Sequence, residues 1–558
     1  MHHTFCIEEI LLNVFSYCCT FKHRHLYYSL PEWQCWYANV HLTALARTCK
    51  TFKGPALDMI WAELDDLTPL IRCLPEASWV RLKGVRQSRS LVVVDADEIS
   101  CRSIHSKNEQ TDWDVILGYA HRVRALPRLH GSFGLAADCI EALSNPPSPI
   151  ESIFPNLRIV GLENPSAKFT PLMRHLTNPK LTSISFEEME NLDAAIDAFG
   201  KRCPLVTDFE VLQRVHTDTT SDLICRWKDL RSVQCLNVDL NIDALSHLSR
   251  LHNLLDMCFG VHNAVVDRIH ATLPPAFTLT FPTLDYLCLT SGHLTPIWRL
   301  LSHFRTPEVH ELTVGLLARV RPPAPDLMSF FFTLREACTH DSLNHLSLRV
   351  CDGYNESNDI PMENASPYCI TFNRLRPLTV FVNIKSITLD IYCGMDLNEQ
   401  ELLCLVSSWP HLETFEVGEE QGWLGSSAIT PRGFLQLLER CRSLRELSFM
   451  FDCRGYTEIP QGHPWRGLTM PKHTSIKLLD STIEEESIEA LSVFFHVAPY
   501  PDFRLTTHWD NRCFNFRDRF CDLYCDRWAQ VRILARDLWQ ERKDLRRSLE
   551  LQSSWDQS

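Results

Sequence analysis

The sequence predicts an α/β chain in three parts: a short helical N-terminus, a long array of short strands alternating with helices, and a helical C-terminus. Three observations predict it. Apolar residues recur at helical spacing in three successive stripes between residues 5 and 64. From about residue 150 an apolar-x-x-apolar-x-apolar core returns at near-constant intervals. From about residue 511 the chain is charged, with apolar residues at steps of three or four. The expected domains are 1–66 for the helices, 67–150 for a junction with the first irregular elements, 151–500 for the array and 501–558 for a terminal cap.

The first stripe is Ile7, Ile10, Leu11, Val14 and Phe15; the second is Leu42, Leu45, Ala46 and Cys49; the third is Leu57, Ile60, Trp61 and Leu64. Each lies along one helix face. Gly54-Pro55 is expected to break the second helix from the third, with Pro55 in the first turn of the third. Three helices this short bury each other only in part, so the surplus apolar surface faces either the rest of the chain or a partner.

The run Glu9-Ile10-Leu11, Val14-Phe15-Ser16, then Leu42, Leu45-Ala46, Thr48-Cys49-Lys50 and Phe52, then Ala56-Leu57, Ile60-Trp61 and Leu64, resembles an F-box, most closely its fungal form. The resemblance implies a trihelical motif that docks on a Skp-type adaptor and through it joins a cullin–RING ubiquitin ligase. It implies that Ile10, Leu11, Val14, Phe15, Leu42, Leu45, Leu57, Ile60 and Trp61 form the trihelix core and adaptor face between them. Two features depart from the family. Glu8 stands where its Leu-Pro opening has proline, and segment 18–41 is longer than usual.

Residues 65–112 show one strand-like run, 91–94, and residues 113–126 read as a helix leading into a strand. The array then begins: Leu157-x-x-Val160-x-Leu162, Leu181-x-x-Ile184-x-Phe186, Val206-x-x-Phe209-x-Val211 and Leu230-x-x-Val233-x-Cys235. Further copies open at Leu254, Leu284, Val309, Leu343, Ile384, Leu412 and Leu444, and a weaker last one at Ile476. The first five openings, 157, 181, 206, 230 and 254, are 24 or 25 residues apart. That is the period of leucine-rich repeats, with longer later intervals implying inserted loops. Helical stretches separate the strands at 192–202, 294–304, 397–408, 431–442 and 484–495, and Thr430-Pro431 reads as an N-cap followed by a first-turn proline. One strand plus one helix cannot bury its own apolar face. Stacked copies can, which predicts an irregular solenoid with strands on its concave wall and helices on its convex side. The asparagine that usually follows the last leucine is missing from most copies. Polar stretches 351–367, 418–430 and 452–474 read as solvated loops or as a decorated rim that selects a substrate. At the C-terminus Trp528, Val531, Leu534, Leu538, Leu545 and Leu549 form the stripe of a capping helix.

Composition excludes several functions. A net charge of −14 argues against general nucleic-acid affinity. No apolar run approaches a membrane span, and the first residues lack the basic-then-apolar pattern of a secretory signal. The chain therefore reads as intracellular, in cytoplasm or nucleus, and its 23 cysteines as reduced thiols. Cys18, Cys19, His23, His25 and Cys35 mix metal-ligand types without zinc spacing, and Cys513, Cys521 and Cys525 lack a fourth ligand. No phosphate-binding glycine loop, zinc-protease helix or nucleophile elbow occurs. The expectation is a non-enzyme with no cofactor and no metal. It would be the substrate receptor of a Skp–cullin–F-box ligase, presenting the array to an unidentified protein substrate. The alternative is a repeat scaffold outside ubiquitin ligation, its helices merely capping the first repeat.

Overall fold

A computed structural model describes residues 7–555 apart from 17–39, 86–94, 102–108, 131–134, 148–149, 164–166, 190–191, 214–216, 273, 275–276, 318–321, 351–368, 392, 420–422, 424–426, 460–473, 497–503 and 511–520. The chain divides into two compact units, Met1–Ala244 and Leu245–Ser558. The division falls within the expected array.

In the first unit, helices Glu8–Ser16, 40–46, Lys50–Ile60 and Thr68–Arg72 precede an antiparallel pair, Trp79–Val85 with Asp95–Cys101. One strand was expected in this region. The run 91–94 lies outside the described residues, and the charged stretches flanking it are what form the pair. Helix Glu109–Ala120 leads into strand Ala125–His130, followed by Ile159–Glu163, Ser183–Glu187, Asp208–Val211 and Ser232–Asp239. These five pair in parallel, in chain order. Parallel neighbours need a crossover between them, and the helical segments supply it. Register sets Val160, Ile184, Phe209 and Val233 side by side, all buried. Leu162, Phe186 and Val211 form a second buried row two residues on, because side chains on one sheet face repeat every second residue.

The second unit repeats the scheme with nine parallel strands: Asp256–Gly260, Tyr286–Ser291, Glu311–Leu316, His345–Val350, Ser386–Asp390, Thr414–Val417, Glu446–Ser448, Ser475–Lys477 and Arg504–Thr506. Its buried row runs Met257, Leu287, Leu312, Leu346, Ile387, Phe415, Leu447, Ile476 and Leu505. Strands thus occur before 151 and after 500. The crossover helices Leu294–Leu301, Glu399–Val406, Pro431–Arg440 and Ile488–Phe495 fall in the expected stretches. Thr430 caps Pro431–Arg440 by accepting the Gly433 N–H, with proline opening the helix. At the previous helix Asn398 and Glu401 cap each other reciprocally.

A second row of inward side chains sits three residues before each copy's first apolar position. In the first unit it is Phe154, Asn178, Cys203 and Trp227, all buried. Asn178 Nδ2 donates to the Phe154 carbonyl at 2.9 Å, and Trp227 Nε1 to the Cys203 carbonyl at 2.8 Å. In the second unit Trp409 Nε1 donates to the Leu378 carbonyl at 3.2 Å. Each bond runs from one copy to a backbone carbonyl of the preceding copy; the Phe154 and Leu378 carbonyls also accept the local N–H groups of Leu157 and Phe381.

The C-terminal helix Cys521–Trp555 buries Trp528, Val531 and Ala535, whereas Leu534 and Leu545 are exposed. The expected stripe is corrected at this point. Leu534 follows Trp528 by six residues, about 120° round the helix, and Ala535 by seven, almost directly above it. The indoles of Trp509 and Trp528 both donate to the Ser481 carbonyl, at 3.0 and 2.9 Å, and fasten this helix to the last turns of the unit. Cys139 is disulfide-bonded, which departs from the all-reduced expectation, whereas Cys203, Cys235, Cys338, Cys441 and Cys453 are buried thiols.

Candidate functional site

The three N-terminal helices close on Leu11, Phe15, Leu42 and Ala56, with Leu45, Ala46, Phe52, Met59 and Ile60 packed around them. Phe15 meets Phe52 edge to face, centroids 5.4 Å apart. The helix break lies earlier than expected. Cys49, placed by spacing on the second stripe, is extended (φ −157°, ψ 166°) and N-caps the third helix, its carbonyl accepting the Lys53 N–H at 3.1 Å. Pro55 is buried inside that helix rather than at its start. A proline there forfeits one backbone bond, and burying its ring beside Ala56 offsets part of the loss.

The nine expected residues separate into three groups. Leu11, Phe15 and Leu42 are core, and Leu45 and Ile60 lean on it half-buried. Val14 points outward at 44% exposure, joined by Ile7 at 46% and Val40 at 45%, while Ile10 and Leu57 are half-buried. Ile7 and Val14 are seven residues apart and so on the same side of the first helix. Trp61 belongs elsewhere. It stacks on Tyr119 of helix Glu109–Ala120 with centroids 4.6 Å apart, and nearby the Leu64 N–H donates to the Ala125 carbonyl at 3.1 Å. Spacing put Trp61 on the trihelix stripe. Being one residue beyond the last helical turn frees it to turn toward the strands.

The strand face opposite the crossover helices carries the polar residues of each copy. In the first unit Ser185 Oγ donates to Glu210 at 2.7 Å. Burial and the neighbouring Glu163 push the Glu187 carboxyl above the usual range. In the second unit nearly buried Glu416 lies 3.5 Å from both Lys477 and Arg349, and Lys477 also pairs with Glu419. Desolvation raises the Glu416 carboxyl, while the Lys477 ammonium holds Glu419 low.

Three residues past Lys477, burial pushes the Asp480 carboxyl up to about 6, although its Oδ1 accepts the Trp423 N–H at 3.2 Å. A carboxyl whose folded pKa lies above its unfolded value binds its proton more tightly when folded. Its stabilising contribution is complete below about pH 4 and is lost as pH rises through 6. Asp480→Asn keeps an acceptor and removes the charge. It is expected to stabilise the protein by about 1–2 kcal/mol at pH 7.5 and to change nothing at pH 4, read from urea midpoints at the two pH values. Equal midpoint shifts at both values would refute the assignment.

No family model matches the chain, and no curated protein matches it. Among solved structures it is similar to a chain described as "Plant peptide hormone receptor RGFR1 in complex with RGF2", at 10% identity over 69% of this chain and 67% of that one, with a TM-score of 0.25. That is too slight a likeness to carry fold or function across.

Among the described residues no group of three His, Cys, Asp or Glu is placed to hold a metal, and no helix is long and apolar enough to cross a membrane. The Cys18–Cys35 and Cys513 positions lie outside them. Sequence reasoning missed Tyr119, which carries no periodic signal, and the inward row at Asn178 and Trp227. A tryptophan or asparagine three residues before a repeat core was the available sign.

Proposed function

We propose that this chain is a non-catalytic protein-binding receptor that docks on a Skp-type adaptor through its N-terminal helices and so joins a cullin–RING ubiquitin ligase. The strand face of the repeats would present a protein substrate. The observation that carries the reading is the apolar surface of Ile7, Val14 and Val40, left outside a trihelix whose own core is already filled. The F-box-like pattern over 9–64 adds to it. Such a receptor works by holding substrate lysines at high effective concentration near a charged ubiquitin carrier.

The test is co-purification of the full chain with a Skp-type adaptor, beside a Val14→Asp, Val40→Asp double variant. Both positions are exposed, so the variant is expected to fold, whereas changes at Leu45 or Trp61 would disturb packing. Wild type is expected to form a one-to-one complex and the variant to bind about thirtyfold more weakly or not at all, since each aspartate buries a charge in the interface. Absence of binding by folded wild type would favour the second reading, a repeat scaffold with capping helices. Trp61 on Tyr119 and Leu64 on Ala125 support that reading, because they knit the helices to the first strand.

A further inference from the structure

A cleft of about 590 Å³ opens between the N-terminal helices and the first parallel strands, lined by Glu8, Gly54 and Asp58 on one wall and by His121, Arg122, Arg124, Asn156, Arg158 and Lys180 on the other. Arg122 is engaged: it pairs with Asp58 and donates to the Gly54 carbonyl, although its buried Nε finds no partner among the described residues. Arg124, Arg158 and Lys180 are exposed, and no carboxylate among the described residues pairs with them. Their backbones are held close. The Arg158 N–H donates to the Arg124 carbonyl at 2.7 Å, so the two arginines enter neighbouring strands side by side. Lys180 Nζ is steered by Asn156 Oδ1 at 2.8 Å, and Asn156 in turn donates to the His121 carbonyl at 2.8 Å.

Three cations with no carboxylate partner among the described residues, on one wall of a cleft, are unusual in a chain of net charge −14. Mutual repulsion leaves them waiting for an anion. Two guanidinium forks and an ammonium offer donors to three separate oxygens, whereas a carboxylate has two. We propose that this cleft binds the phosphate group of a phosphate ester, with Arg124, Arg158 and Lys180 on its oxygens. Glu8, a carboxylate of the lining with no cation paired to it among the described residues, opposes the anion and tunes its affinity downward.

The test is calorimetric titration of the full chain at fixed ionic strength with three probes: inorganic phosphate, pyrophosphate, and a neutral peptide carrying one phosphoserine. Wild type is expected to bind at least one phosphate probe, and Arg158→Ala to weaken it about tenfold, the loss of one charge-assisted bidentate contact. Arg124→Glu with Arg158→Glu is expected to abolish binding, and Glu8→Gln to tighten it. Arg231→Glu is the control. It enters a strand of the same unit in the same way, its N–H on the Thr207 carbonyl at 2.7 Å, but lies outside the cleft. Tighter binding of the peptide than of the inorganic probes identifies a phosphoprotein, and the reverse order a small phosphate ester. No heat with any probe, or an equal loss in Arg231→Glu, overturns the proposal. Thermal melts of each variant separate lost binding from lost fold. None of these results depends on the adaptor, so failure of the receptor reading leaves the cleft to be judged alone.

Discussion

Trp227→Ala is expected to cost about 3–5 kcal/mol, the range for deleting a fully buried aromatic. Trp227 is wholly enclosed, its ring lies 5.1 Å from that of Phe209, and its indole N–H satisfies the Cys203 carbonyl. Removing it leaves a large cavity between two copies and an orphaned carbonyl in the loop. Trp227→Phe restores most of the ring but not the donor, so it should recover the packing share and leave a deficit of about 1–3 kcal/mol. Guanidinium unfolding of the full chain reads both. The two units need not unfold together, so the earlier transition is the one to follow. A loss below 1 kcal/mol for the alanine variant would mean that the inward row is not what joins one copy to the next.

Gly161→Ala is the smallest change with a large expected effect. Strand Ala125–His130 slips register between Leu126 and Leu129, and the slip drives the Pro127 carbonyl over Gly161 of the neighbouring strand. A Cβ at residue 161 would overlap that oxygen and its carbon. Both belong to the backbone, so relief requires moving a strand rather than turning a side chain. The expected cost is about 2–3 kcal/mol, as for overpacking elsewhere. Gly292→Ala, where a Cβ meets nothing within 4 Å, should stay within about 0.5 kcal/mol. Equal unfolding midpoints for the two variants would contradict the account of the bulge.

These two residues show where the sequence was legible and where it was not. The strands were readable because burial imposes a period: Val160, Ile184, Phe209 and Val233 are apolar for one shared reason and recur where their copies recur. A strand near residue 126 was expected but not recognised as a copy of the repeat, and the copy at Arg504–Thr506 was not expected at all. A proline interrupts the pattern of the first, and the second is three residues long. Gly161 looked like an ordinary filler between Val160 and Leu162, since its necessity comes from Pro127 on another strand. In the trihelix, periodicity marked apolar positions without saying which way they face. Leu11 turns inward and Val14 outward although both fit one stripe, because a stripe spans more of the helix than one neighbour can cover. Trp61 fitted the pattern and went elsewhere, a choice made by Tyr119.

The most direct measurement is amide hydrogen exchange of the full chain with and without a Skp-type adaptor. The receptor account predicts added protection in residues 7–16 and 40–60, with the strand amides from Ile159 to Asp239 unchanged. Protection confined to the strands, with the N-terminal helices unaffected, would contradict it.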